Sequence, residues 1–313
     1  MLSLVIPVYK NEASLPALID AVTILNQEVS GELETIFVVD GSPDNSYRIL
    51  RDLLPDQSFK SKLILLSRNF GSFMAIRTGL QHGVGDRFAV MAADLQEPPE
   101  LVLEMNKKLQ DESLDIVVGV REAREDPGFS KLSSTLFWWT YRKFVLPEIP
   151  PGGVDMFACN KQARDTLLTL EECHSSLVSQ LFWIGFRRGT VTYKRLKREH
   201  GKSAWTLRKK INYLMDSIFS FTDLPIRVLV RLGATGTLLA SLYGFFVLIS
   251  KMLGFISLPG YSTTIFLICF FASLNTLGIG IVGSYAWRTY ENTKKRPLSI
   301  PMKLDSYAGK NNE

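Results

Sequence analysis

Cysteine and histidine are scarce in this chain. Its 313 residues hold three cysteines (Cys159, Cys173, Cys269) and three histidines (His82, His174, His200), all widely spaced. With no CxxC pair and no His cluster, a disulfide scaffold and a Cys/His zinc site are both excluded. No GxSxG turn and no Cys–His pairing points to a nucleophilic hydrolase. The N-terminus, Met1–Glu12, lacks a basic region and carries only a short apolar run, so it reads as a strand and not as a signal peptide. Charge is missing from two places only: Leu232–Ser250, 19 residues, and Ser262–Trp287, 26 residues, contain no Asp, Glu, Lys or Arg. At 46% hydrophobic and 21% charged overall, the chain is too apolar to be disordered and too charged to lie wholly in lipid. Its net charge of +5 suits an anionic partner.

About 20 apolar residues span a bilayer, so the two uncharged stretches predict transmembrane helices at about 229–250 and 263–287. A short connection with Gly254, Pro259 and Gly260 makes them a hairpin whose ends emerge on one side. Arg227, Arg231, Arg288, Lys294, Lys295 and Arg296 flank that side, and only Lys251 lies in the loop. The positive-inside rule then puts the N-terminal part and the tail in the cytoplasm. The spacing Gly278–Gly283 fits GxGxxG, but it falls inside the second stretch and reads as close helix packing. Gly201-Lys202-Ser203 lacks the first glycine of a P-loop, because position 196 is Leu.

Upstream, near-continuous apolar runs at Leu2–Pro7, Thr35–Asp40, Lys62–Ser67, Arg87–Asp94 and Asp115–Val120 predict strands covered on both faces. Helical patterns at Ser14–Leu25, Ser46–Leu54, Ser72–His82 and Pro99–Gln110 separate them. This alternation predicts an α/β fold with a parallel, doubly wound sheet. Ligands of such sheets sit at the carboxyl ends of the strands. That directs attention to Tyr9–Glu12, Asp40–Asp44, Arg68–Gly71 and Asp94–Glu97.

Each of these segments has two readings. Asp40–Asp44 suits a nucleoside contact or a plain Asp/Gly/Pro turn. Asp94 and Gln96 offer hard oxygens to Mg²⁺ or Mn²⁺, while Asp94 alone also suits a cap before the helix at Pro98. Arg68, Arg121 and Arg124 suit phosphates or solvent. Leu136–Phe144, with Trp138, Trp139, Tyr141, Arg142 and Lys143, suits an interfacial helix or an amphipathic core helix. Lys194–Lys210 holds eight Lys/Arg in 17 residues and leads into the amphipathic run Ile211–Phe221. Beside a membrane span that composition suits an anionic lipid headgroup or a general juxtamembrane anchor. Nucleic acid is not the expected partner, because no RNP-like aromatic motif accompanies the charge.

The segments PVYKNE (Pro7–Glu12), VDGSPDNS (Val39–Ser46), SRNFG (Ser67–Gly71), ADLQEPPE (Ala93–Glu100), GVREAR (Gly119–Arg124), GVDMF (Gly153–Phe157), REHGKSAW (Arg198–Trp205) and GSYAWRTYENTKKRP (Gly283–Pro297) occur in this order. Together they resemble the polyprenyl-phosphate glycosyltransferases of glycosyltransferase family two, which include dolichyl-phosphate mannose synthase and the bactoprenol glucosyltransferases. The resemblance implies a GT-A, Rossmann-like nucleotide-sugar domain over residues 1–200. Juxtamembrane interfacial helices (201–228), the membrane hairpin (229–288) and a cytoplasmic tail (289–313) would follow. It implies that Pro7, Tyr9, Glu12, Asp40 and Arg68 line the nucleotide-sugar, and that Asp94 and Gln96 hold Mg²⁺ or Mn²⁺ and the diphosphate. Asp155 would act at the reacting centre beside Asp94, as base or as acceptor-orienting group. Arg121, Arg124, Arg198 and Lys202 would cradle phosphates of donor or lipid.

The resemblance further implies inverting transfer of a hexose, UDP-sugar favoured, to polyprenyl (undecaprenyl) phosphate. The setting would be the cytoplasmic face of a bacterial inner membrane, by a homo-oligomer, with a tetramer expected. The sequence departs from the family pattern at Val39 and Ala92, each in place of an aspartate. It departs also at Ala204, in place of a lysine, and at Ser284, in place of a glutamate. These departures keep two other readings open: an enzyme acting on a different lipid or a saccharide, and a weakened scaffold for a flippase-like membrane protein.

Overall fold

The computed structural model describes residues 1–111, 113–122, 138–143, 145–151, 153–173, 175–196, 207–255 and 260–310. Arg124, Arg198 and Lys202 lie outside the described residues, as do Leu136, Phe137, Phe144 and Ala204. The first half follows the expected alternation: β1 (Leu2–Val8), α1 (Leu15–Glu28), β2 (Leu33–Val39), α2 (Ser46–Leu53), β3 (Lys60–Leu66), α3 (Ser72–His82), β4 (Arg87–Val90), α4 (Glu100–Gln110) and β5 (Ile116–Arg121). After these come β6 (Phe157–Asn160), α5 (Lys161–Leu168), α6 (Leu177–Trp183), β7 (Arg188–Tyr193), α7 (Leu207–Phe221), α8 (Leu224–Met252), α9 (Tyr261–Thr293) and β8 (Pro301–Tyr307).

The strands form one eight-stranded sheet in the order β7-β5-β6-β4-β1-β2-β3-β8. It is mixed, which corrects the expectation of a parallel sheet. Six strands run one way; β6 lies antiparallel between β4 and β5, and β8 lies antiparallel on β3. Neither reversal follows an alternating strand–helix pattern. The short β6 returns after the long connection from β5, and β8 is supplied by the far end of the chain. β4 also stops at Val90, short of the expected Asp94; Met91 N–H still bonds Val5 O at 3.0 Å, and the chain then turns.

Apolar residues alternate between two covered faces. Leu4, Ile6, Phe37 and Leu63 pack with α1, α2 and α4. Val5, Ile36, Val38 and Ile64 pack with α3, α5 and α6. Every residue of β2 is buried, as a strand covered on both sides requires. Its one carboxylate, Glu34, survives burial because it accepts from Lys62 Nζ at 2.8 Å, Ser3 Oγ at 2.7 Å and Val84 N–H at 2.9 Å.

The helical turn 138–143 resolves toward the core-helix alternative. Tyr141 is fully buried, and its ring stacks on Tyr213 of α7 with centroids 5.7 Å apart. Its hydroxyl meets Ser179 Oγ, Ser217 Oγ at 3.0 Å and Tyr213 Oη at 3.4 Å. Only Trp139 and Lys143 on the other face are turned outward, with the Lys143 ammonium over the Trp139 ring. So α7 is docked onto the sheet domain by aromatic stacking and a buried hydroxyl network, and each such hydrogen bond is worth about 1 kcal/mol.

Among the described residues one helix, α8, is long and apolar enough to cross a membrane, with 29 residues and a mean hydropathy of 1.8 in its most apolar window. Its Leu238, Leu239, Leu242, Phe245 and Phe246 are all at least 60% exposed. α9 is a 33-residue helix that contains the Gly278–Gly283 spacing in helical form. It approaches α8 where Gly278 faces Leu229. The chain then returns to the sheet domain: Ser67 N–H bonds Ile300 O at 3.0 Å, and Tyr47 Oη donates to Asp305 Oδ2 at 2.9 Å.

Candidate active site

All six co-directional strands end at one edge of the sheet, and the expected site residues gather there in two groups. The first surrounds the ends of β1, β2 and β3. Asp40 follows β2 and is 2% exposed; its two carboxylate oxygens accept from Phe70 N–H at 2.7 Å and Gly71 N–H at 2.9 Å. It therefore fixes the Arg68–Gly71 loop, a task for which a buried carboxylate is suited by two charge-assisted bonds. Gly41 adopts φ +54°, and a Cβ there would lie 2.3 Å from the carbonyl carbon of Arg68, so only glycine lets the two loops close.

Glu12 accepts from Asn45 N–H at 2.9 Å, and Asp44 accepts from Ser42 Oγ, Ser46 Oγ and the N–H groups of Glu12 and Ser46. Burial raises the Asp44 pKa, but those hydrogen bonds outweigh it and hold the carboxyl below its ordinary value. Lys10, Asn11, Glu12, Pro43 and Asp44 line a cleft of about 380 Å³. Tyr9 stands beside it, half-buried, with the Lys10 ammonium 5.5 Å from its ring centre. Pro7 is paired with Val38 inside the sheet. Arg68 is exposed, its guanidinium 4.2 Å from the Phe70 ring centre.

The second group lies at the ends of β4, β5 and β7. Arg121 and Tyr193 are register partners on β5 and β7, so their side chains emerge together. Both bind Asp155 Oδ2: Arg121 through Nε, and Tyr193 through its hydroxyl at 2.8 Å. Asp155 reaches this edge because β6 is antiparallel, which puts its amino end beside the carboxyl ends of its neighbours. Burial lowers the pKa of the Arg121 guanidinium, but the Asp155 charge overrides this and raises it. Burial and the Asp155 charge both raise the Tyr193 hydroxyl.

Asp94, Leu95 and Gln96 form a turn in which Leu95 has φ +52° and Gln96 N–H points to Asp94 Oδ1 at 3.4 Å. Non-glycine residues in this conformation are uncommon and cluster at functional sites. Ser14 Oγ donates to Ala93 O at 2.8 Å and so links this turn to the first group. Glu97, next in the chain, is 2% exposed. Burial pushes its carboxyl up to about 7, with Asp155 and Asp94 adding to the rise and Arg195 and Arg121 opposing it. Arg195 Nη2 donates to Gln96 Oε1 at 2.6 Å, and its Nε lies 3.6 Å from Glu97 Oε1. Asp94 and Gln96 offer hard oxygens suited to Mg²⁺ or Mn²⁺, which commonly take one or two carboxylates plus substrate phosphates. Among the described residues no three Asp, Glu, His or Cys side chains close a metal cage by themselves.

A family model described as glycosyl transferase family 2 matches residues 3–166, more than half of the chain. The chain belongs to glycosyl transferase family 2. Three relatives cover almost its whole length. The uncharacterized glycosyltransferase sll0501 of Synechocystis sp. is 30% identical over 300 residues, 96% of this chain and 94% of that one. The undecaprenyl-phosphate 4-deoxy-4-formamido-L-arabinose transferase of Aeromonas hydrophila is 30% identical over 301 residues, 95% of this chain and 91% of that one. The bactoprenol glucosyl transferase of Shigella phage SfX is 28% identical over 297 residues, 95% of this chain and 97% of that one.

The mixed, doubly covered sheet is therefore a GT-A glycosyltransferase domain. The family 2 match includes Asp40, Asp94, Arg121 and Asp155 and stops before β7. Sequence reading of this glycosyltransferase missed Glu97, Tyr193 and Arg195. Glu97 belongs to the Asp94–Glu97 run singled out above, and nothing in a sequence marked it as buried. Tyr193 and Arg195 depend on β7, whose run Arg188–Tyr193 has too little apolar character to read as a strand.

Proposed function

We propose that this glycosyltransferase moves a hexose from a nucleotide-sugar, UDP-sugar favoured, to polyprenyl (undecaprenyl) phosphate, with inversion at the sugar carbon. The observation that carries this reading is the second group of residues: a carboxylate turn at Asp94–Gln96 on the same sheet edge as an Asp155 held by Arg121 and Tyr193, in a chain that continues through α7 into a long apolar helix. The acceptor class is supported by the names of the Aeromonas and phage relatives, which both refer to polyprenyl-linked transfer.

In this reading the first group, Pro7, Tyr9, Glu12, Asp40 and Arg68, takes the nucleoside end of the donor. Asp94 and Gln96 would hold Mg²⁺ or Mn²⁺, which supplies charge stabilisation to the leaving diphosphate. A lipid phosphate has a second pKa of about 6 and is already anionic at neutral pH, so it needs little proton removal. Asp155 then serves less as a base than as an anchor: it orients Arg121 and Tyr193 toward the space where acceptor phosphate and sugar meet. Arg121 is aimed before the substrates arrive, so its charge acts without reorganisation. Arg124, Arg198 and Lys202 are the further phosphate ligands of this proposal.

The proposed setting is a bacterial inner membrane, with α8 and α9 crossing as a hairpin and the sheet domain on the cytoplasmic side. Three features support it: the flanking basic residues, the bare apolar surface of α8, and the return of β8 to the sheet domain on which α7, just before α8, is docked. Residues 1–200, 201–228, 229–288 and 289–313 are the corresponding functional parts. Holding the acceptor on the surface where the domain rests removes much of the entropy cost of encounter. A homo-oligomer, taken as a tetramer, is part of the same proposal. The purified protein in vesicles free of polyprenyl phosphate, given labelled UDP-hexose with and without added undecaprenyl phosphate, should form labelled lipid only with the added acceptor. Labelling that ignores the acceptor would overturn the reading.

A further inference from the structure

The strongest unexplained feature of the site is the position of Arg195. Its guanidinium donates to Gln96 Oε1 at 2.6 Å, which is the amide oxygen offered above to a divalent cation. The contact is reinforced from the backbone, where Leu196 N–H donates to Gln96 O at 2.8 Å. Behind it, Glu97 Oε1 lies 3.6 Å from Arg195 Nε, while Glu97 Oε2 is buried with no hydrogen-bond partner among the described residues. A carboxylate left half-satisfied in a buried floor attracts the nearest mobile cation. Arg195 is that cation: its side chain is 34% exposed, whereas the Glu97 side chain is 2% exposed. Position 92 adds to this, because Ala92 supplies no side-chain oxygen beside the turn.

We propose that Arg195 is a built-in counter-cation of the diphosphate site, resting on Gln96 and Glu97 when no donor is bound and transferring to the donor's phosphate when one arrives. This rests on the reading of Asp94 and Gln96 as the diphosphate-binding turn. The physical reason is competition at one oxygen. A guanidinium and a divalent cation repel each other across the same amide, so Gln96 is fully available to a metal only after Arg195 has left. A phosphate provides the destination, since the planar fork of arginine matches two phosphate oxygens better than it matches one amide oxygen. Donor and metal then assist each other's binding. The assistance is reciprocal, because each changes the other's affinity by the same factor. Arg195 is a donor-binding and positioning residue that ties metal affinity to the presence of nucleotide.

The test uses the full-length protein in mild detergent and two titrations that do not depend on turnover. Mn²⁺ binding without nucleotide is followed by the electron paramagnetic resonance signal of the free ion. UDP binding, with GDP in parallel, is followed by calorimetry with and without Mn²⁺. In the unaltered protein each ligand should tighten the other at least about five-fold, the low end of common coupling between sites. Arg195→Gln should move the two affinities in opposite directions. Mn²⁺ alone should bind several-fold tighter because its competitor is gone, and UDP should bind about ten-fold weaker because a charge-assisted phosphate contact is lost. Arg195→Lys keeps the charge beside Glu97 and should give smaller changes of the same two signs, which preserves the test if the glutamine variant does not fold. Affinities that move together, or one that moves alone, overturn the proposal. If the unaltered protein binds neither UDP nor GDP under any metal condition, the nucleotide-sugar reading itself fails, an outcome distinct from the former.

Discussion

Glu97 provides a test of the site that needs no substrate. Its carboxyl titrates at about 7 in the folded protein, raised first by burial and then by the Asp155 charge, against an ordinary 4.5 in the unfolded chain. Between those two values the folded protein keeps a proton that the unfolded chain has released. Stability from this group is thus fully present below about pH 4.5 and is lost as pH rises through about 7. The gap corresponds to about 3 kcal/mol. For a protein of this size 1 kcal/mol moves the melting temperature by roughly 2–4 °C, so the full effect is on the order of 6–12 °C. Glu97→Gln retains the shape and removes the ionisation. Thermal unfolding of both proteins in the same detergent, followed by intrinsic fluorescence from pH 5 to 8.5, isolates the effect as the difference between the two curves. Near pH 5 the two should melt within a few degrees of each other, and the advantage of the glutamine variant should grow by several degrees by pH 8.5. A difference that stays flat across that range would refute the burial of an ionisable carboxyl at this position.

Three further outcomes follow from the geometry. Asp94→Asn removes the only carboxylate of the 94–96 turn and should reduce sugar transfer by at least about 100-fold, with an unchanged melting temperature; retention of a tenth of the activity would contradict the role given to it. Gly41→Ala forces a methyl group into the Arg68 backbone at a positive φ and should cost about 1–3 kcal/mol, read as a lowered melting point together with weakened UDP binding. Ending the chain after Arg296 deletes β8 and leaves the edge of β3 unpaired; the truncated protein should melt lower and aggregate, and an equal melting point would show that the strand adds nothing to the fold.

The parts of this molecule that were legible in the sequence are those dictated by local pattern. Ser72–His82 is helical at the residues its periodicity indicates, and β1, β2 and β3 lie within one to two residues of their apolar runs. Clustering at the strand ends followed from the topology of parallel strands, which is why Asp40, Asp94 and Arg121 lie at one edge. What remained hidden was set by contacts between distant segments. The antiparallel β6 carries Asp155 to the site, and only pairing with β4 and β5 fixes its direction. Asp40 illustrates a second limit: its type and place suggested a nucleoside contact, and its geometry shows a carboxylate also committed to two loop amides. Glu97 illustrates a third, since a Glu before two prolines looks solvated until the fold closes over it.

The strand contributed by Pro301–Tyr307 has a consequence for how the protein is made. Its partner, β3, leaves the ribosome some 240 residues earlier, so the sheet waits for its eighth member until the intervening segments have been made. Both long helices, α8 and α9, must be synthesised before that pairing becomes possible. Completion of the sheet therefore requires that both long helices have been produced, and a chain stopped before β8 displays a raw β edge.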